Sequence, residues 1–110
     1  MIKKIISRLE PFDDWVNNTS EEENLAARDA LKEFLWQIKD LKPSSEYAKS
    51  SITQLHTSYI LHLIAIKKAL VQKKYTRVCN EIITLLNKEP FMQPRVLNNL
   101  INLLAEELNK

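Results

Sequence analysis

Apolar residues recur along this chain in steps of three and four, the period of one face of an α-helix, rather than in the two-residue rhythm of a half-buried strand. The opening MIKKIISRLE places Ile2, Ile5, Ile6 and Leu9 on such a face, with Lys3, Lys4 and Arg8 between them. Pro11 interrupts this segment and can lead a new turn carrying Phe12, Trp15 and Val16, which Asn17 and Asn18 end. TSEEENLAARDALKEFLWQIKDL is the clearest helix. Ser20 is its expected N-cap, Glu23 completes a capping box, and Ala27, Leu31, Phe34, Leu35, Ile38 and Leu41 form its apolar face. Pro43 closes it, because the residue before a proline is pushed out of the α region.

Ser44 or Ser45 then caps a third helix, whose stripe of Ala48, Ile52, Leu55, Tyr59, Leu63, Ile66 and Leu70 runs for about six turns, or about 40 Å. It is expected to stop near residues 72–74. The apolar register restarts with Tyr75, Val78, Cys79, Ile82, Leu85 and Leu86, and Pro90 ends it. The pattern leaves open whether these two segments are one continuous helix. Pro94 fits the first turn of a last helix that buries Leu97, Leu100, Ile101, Leu104 and Leu108. Short connections favour antiparallel neighbours. The prediction is therefore an all-α fold, a compact antiparallel four- to five-helix bundle, with residues 1–110 forming one domain.

Composition narrows the chemistry. Glycine is absent, which argues against tight β-hairpins and phosphate-cradling glycine loops. The single Cys79 excludes an intrachain disulfide and suits a reducing compartment. The most apolar stretch, YILHLIAI, is far shorter than the roughly 20 residues of a membrane span, and the start carries no secretory pattern. These features lead to the expectation of a cytoplasmic protein with no transmembrane segment, for which peripheral membrane contact remains open.

Charge is distributed unevenly. Residues 1–43 hold seven Lys and Arg against nine Asp and Glu, a balance of −2, whereas residues 44–110 hold nine against five, a balance of +4. No carboxylate lies between Tyr47 and Asn80. Lys67, Lys68, Lys73, Lys74 and Arg77 fall in this stretch with Tyr75 among them, and no glutamate is interleaved to form i,i+4 pairs. Two readings stand side by side: a solvated helix face that aids solubility, or a surface for an anionic partner with Tyr75 as an interface anchor. The alternative binding surface is acidic, Asp13 and Asp14 with Glu21, Glu22 and Glu23, although helix-dipole complementarity accounts for carboxylates at helix ends.

No catalytic, cofactor-binding or metal-binding set emerges. His56 and His62 are six residues apart, on opposite sides of a helix, so they read as surface or half-buried histidines and not as ligands. Cys79 falls on an apolar face as a small core residue. No nucleophile and base are paired. A helix-turn-helix around NKEPFMQPR would offer only Gln93, Arg95, Asn98 and Asn99 for base readout, so nucleic acid is a minority reading.

Two family resemblances add to this. KKYTRVCNEIITLLNKEP resembles the second helix of a tetratricopeptide repeat, with Tyr75, Ile82, Leu85 and Pro90 at matching offsets, although Val78 and Ile66 replace its small residue and glycine. SEEENLAARDAL, SEYAKSSITQLHTSYI and IKKALVQKKYTRVCNEIITLL together resemble the class II bacteriocin immunity proteins of lactic-acid bacteria over residues 19–86. That resemblance implies a cytosolic antiparallel four-helix bundle without catalytic residues, which acts at the inner membrane face on the sugar-transport receptor the bacteriocin attacks. The Pro11 break and the fully helical C-terminus depart from that pattern.

The expected function is a non-catalytic protein-binding module, most specifically an immunity-type protein that protects a bacterial cell by binding a toxin, a bacteriocin or its membrane receptor complex. It is expected to use no cofactor and no small-molecule substrate. The alternatives are a helical adaptor or chaperone-like interaction protein, then a small nucleic-acid-binding protein. A groove of exposed apolar residues between helices favours the adaptor; a closed bundle with one charged face favours immunity.

Overall fold

A computed structural model describes residues 6–17, 20–39, 57–88 and 94–109. Among them the chain forms a 3-10 turn at Glu10–Phe12 and four helices: α1, Glu21–Lys39; α2, Thr57–Val71; α3, Tyr75–Lys88; and α4, Pro94–Leu108. The four helices pack into one all-α globule, and no strand occurs among the described residues. The expected positions Ile2, Ile5, Leu41, Ala48, Ile52, Leu55, His56, Pro90 and Gln93 lie outside the described residues.

Pro11 occupies the first turn of the 3-10 segment, where its missing N–H costs nothing. Ile6 and Leu9 enter the core and Phe12 packs against it. Val16, expected on the same apolar turn, is instead exposed, in a run of turns and not a helix after Asp13. Asp13 ties this segment to α3: the Asn80 side-chain amide donates to the Asp13 backbone carbonyl at 3.0 Å and to Oδ1 at 2.9 Å. Arg8 and Glu33 pair across to α1.

The expected cap of α1 is present. Ser20 Oγ accepts from the Glu23 N–H at 3.1 Å, and the Ser20 carbonyl accepts from the Asn24 N–H at 3.0 Å. Ala27, Leu31, Phe34, Leu35 and Ile38 are all buried, as their spacing predicts.

Helices α2 and α3 are separate, which resolves the continuity left open by the pattern. The chain turns at Lys73, which takes φ 59, the left-handed conformation usually given to glycine. The Lys74 N–H donates to the Ala69 carbonyl at 2.9 Å and the Lys73 N–H to the Leu70 carbonyl at 3.0 Å. This pair of bonds is a Schellman motif with lysine at its left-handed position. Asn24 of α1 completes the junction: its side-chain N–H donates to the Lys73 carbonyl at 2.8 Å, and its Oδ1 accepts the Tyr75 N–H at 2.8 Å. A side chain about fifty positions upstream therefore serves as the cap acceptor for α3, whose own N-cap position holds Lys74.

Tyr59, Leu63, Ile66 and Leu70 of α2, Val78, Cys79, Ile82, Leu85 and Leu86 of α3, and Leu97, Leu100, Leu104 and Leu108 of α4 meet in one core. The main packing pairs place α3 against α1 and α2, and α4 against the same two helices. Among consecutive helices only α2 and α3 form a principal contact, so α1 faces α2, and α3 faces α4, across the diagonals.

Three substitutions test this arrangement in urea unfolding followed by circular dichroism. Ser20→Ala should lower stability by about 1 kcal/mol through loss of the cap. Ile66→Ala should cost roughly 2–5 kcal/mol, since Ile66 is fully buried; a cost below about 0.5 kcal/mol would contradict the core register. Lys73→Gly should stabilise by about 1 kcal/mol, because glycine enters the left-handed region without a Cβ clash.

Candidate functional site

The unpaired cations gather where α2 ends and α3 begins. Lys67 and Lys68 lie exposed on α2, Lys73 and Lys74 lie exposed in the turn, and Arg77 is half-buried in the first turn of α3. None of the four lysines has a carboxylate partner among the described residues. Glu81, the nearest carboxylate in sequence, is occupied elsewhere: its Oε2 lies 3.5 Å from His62 Nδ1 in the half-buried contact between α2 and α3. His62 is thus a half-buried residue with a carboxylate neighbour.

Tyr75 does not belong to this surface. Its ring is buried in the core with Val78 and Cys79, so the anchor expected among the cations is a packing residue. The physical reason is the Asn24 bond to the Tyr75 N–H, which sets the first turn of α3 with that side chain inward. Trp15 takes the aromatic place at the surface instead. The Arg77 guanidinium lies over its ring, 4.9 Å from the centroid, in a cation–π contact.

The acidic residues expected as an alternative face are divided. Asp13 accepts from Asn80, and Asp14 Oδ2 accepts from the Asn17 side chain at 2.6 Å, so both carboxylates are committed to local structure. Glu22 is exposed; Glu23 is half-buried, and its Oε2 is buried without a hydrogen-bond partner among the described residues. Glu21 faces the cations. It shares a cleft of about 420 Å³ with Trp15, Lys73, Lys74, Thr76 and Arg77. Of the acidic set, Glu21 alone therefore meets the cations in this cleft.

A second feature escaped the helical stripe. Leu61, Ile64 and Val71 are exposed on α2 and, with Lys68, follow one another at steps of three, four and three along its outer face. Leu61, Ile64 and Lys68 also border a groove of about 290 Å³ that reaches Arg77. Their signal was present in the sequence as apolar positions left over from the core stripe. By contrast, Asn98 and Asn99 of α4 are half-buried, which removes them from an open base-reading face.

No group of three or more His, Cys, Asp or Glu suited to a metal ion occurs among the described residues, and no helix there is long and apolar enough to cross a membrane. Cys79 is fully buried, and desolvation pushes its thiol up from 9.0 to about 12 against a weaker opposing backbone hydrogen bond. Below pH 9.0 folded and unfolded chains both hold the proton; between 9.0 and about 12 only the folded chain does, so this group lowers stability as pH rises through that window. Iodoacetamide at about pH 8 should accordingly leave Cys79 unmodified in the native protein and alkylate it in denaturant, as intact-mass spectrometry would report.

Compared with models of known protein families, with curated proteins and with solved structures, the chain matches none.

Proposed function

We propose that this chain is a non-catalytic binding protein of the immunity type, acting in a bacterial cell on a toxin, a bacteriocin or its receptor complex. The observation that carries the reading is the outer face of α2 and its turn. Lys67, Lys68, Lys73 and Lys74 stand there exposed and without carboxylate partners among the described residues. Such a charged face suits an acidic partner. The lysines contribute mainly encounter rate and orientation.

A helical adaptor is the second reading, favoured by the exposed Leu61, Ile64 and Val71 of α2, the first two of which border the groove that reaches Arg77. A closed bundle with a purely charged face would have none of them, whereas a docking groove for an apolar helix would.

The test is a quadruple variant, Lys67→Gln, Lys68→Gln, Lys73→Gln and Lys74→Gln, expressed in bacteriocin-sensitive lactic-acid bacteria. Wild type should raise survival against at least one class II bacteriocin in a panel, and the variant should lose at least tenfold of that protection. Thermal stability should change little, because exposed sites usually shift it by less than about 0.5 kcal/mol each. Absence of protection by wild type, or equal protection by the variant, defeats the immunity reading.

A further inference from the structure

Helix α2 carries two apolar faces, and the bundle covers only one of them. Tyr59, Leu63, Ile66 and Leu70 face the core. On the opposite side Leu61, Ile64 and Val71 stay 62%, 55% and 59% exposed. Single exposed aliphatics are ordinary on a protein surface. These three are in register: with Lys68 they stand at the three-four-three spacing of a and d positions in two successive heptads. That is the seam one helix offers to another.

The surroundings of the seam narrow what can cover it. Ala65, a small side chain, lies beside it, and the groove of about 290 Å³ extends past Ala65 to Arg77 of α3. Lys68 sits within the seam and Lys67 at its edge, both exposed and without a carboxylate partner among the described residues. No Asp or Glu occurs anywhere in α2. A second copy therefore fits badly. Pairing the seam with itself, parallel or antiparallel, brings two pairs of lysines together with no carboxylate on either helix, and a charged a position weakens a pairing it does not match. A lipid surface fits no better. Helices that lie in a membrane interface place Trp, Phe and Leu there, whereas this seam has no aromatic residue and borders a groove.

We propose that α2 is a docking seam for an acidic amphipathic helix of another protein. Aliphatic side chains at the partner's a and d positions pack on Leu61, Ile64 and Val71, and carboxylates flanking them meet Lys67 and Lys68. The seam spans ten residues, about 15 Å at 1.5 Å per residue, so about three turns of partner helix cover it. Apolar anchors at helical spacing supply affinity in such helix-in-groove contacts, and complementary charge fixes orientation and partner choice. The proposal rests on the adaptor reading and not on the immunity reading.

The probe is a synthetic peptide of about three heptads with Leu at a and d and Glu at e and g, labelled with fluorescein and titrated with the full chain. Anisotropy should show saturable binding that weakens as salt rises. Leu61→Gln with Ile64→Gln should weaken it at least tenfold. Lys67→Glu with Lys68→Glu should exchange the preference, favouring a peptide with Lys at e and g. Lys73→Gln with Lys74→Gln, in the turn beyond α2, should leave binding within twofold. Circular dichroism confirms that each variant is folded. No saturable binding of the acidic peptide, equal binding of the Lys peptide, or wild-type binding by the Leu61 and Ile64 variant overturns the proposal. A peptide with Gln at e and g that binds as tightly as the acidic one overturns it too, yet leaves the adaptor reading standing. In sedimentation, a dimer that the Leu61 and Ile64 variant abolishes assigns the seam to a second copy. Binding to phosphatidylglycerol vesicles without binding of the peptide assigns it to lipid, and either result overturns the proposal.

Discussion

Asn24 stands on the second turn of α1, and both ends of its side-chain amide are spoken for by the turn between α2 and α3. Its N–H group holds the carbonyl of Lys73, the residue forced into the left-handed region, while its oxygen takes the first amide of α3. In a chain without glycine the conformation at Lys73 costs on the order of 1–2 kcal/mol. Two hydrogen bonds, one exposed and one half-buried, each worth about 1 kcal/mol net, are of the size needed to offset it. The same two bonds align α1 with α3 and direct Tyr75 into the core, so the cationic turn inherits its geometry from one asparagine.

The helices themselves were readable because burial imposes the 3.6-residue period on the side chains that face inward. Tyr59, Leu63, Ile66 and Leu70 illustrate it, as do Leu97, Leu100, Leu104 and Leu108. The break after Val71 was located but not explained, since nothing local marks a lysine that will take positive φ. Tyr75 fitted two descriptions, core position and surface anchor, and only the register of α3 decides between them. Val16 was misplaced for a related reason, because a periodic pattern carries no information once the chain leaves helical geometry.

What stayed hidden at the candidate site is long-range. Trp15 meets Arg77, Asp13 meets Asn80, and Glu21 faces Lys73 and Lys74 only after α1 and α3 have packed. The polarity seen along the sequence, acidic first and basic later, folds back on itself into one region of mixed sign. Such a region discriminates by shape and charge position more than by net charge, which suits selective binding better than general attraction to polyanions.

The diagonal placement of consecutive helices also governs how the molecule comes together. Helices α2 and α3 are joined by three residues and pack on each other, so their pairing closes a short loop and can form early. The Asn24 junction instead brings together residues about fifty apart, for which loop closure costs roughly 3–4 kcal/mol of chain entropy. The α2–α3 hairpin is therefore the natural nucleus, with α1 docking afterwards and fastening the turn that is already formed. The cationic surface and its cleft thus mature in different phases: the helix face with the hairpin, the cleft only when α1 arrives.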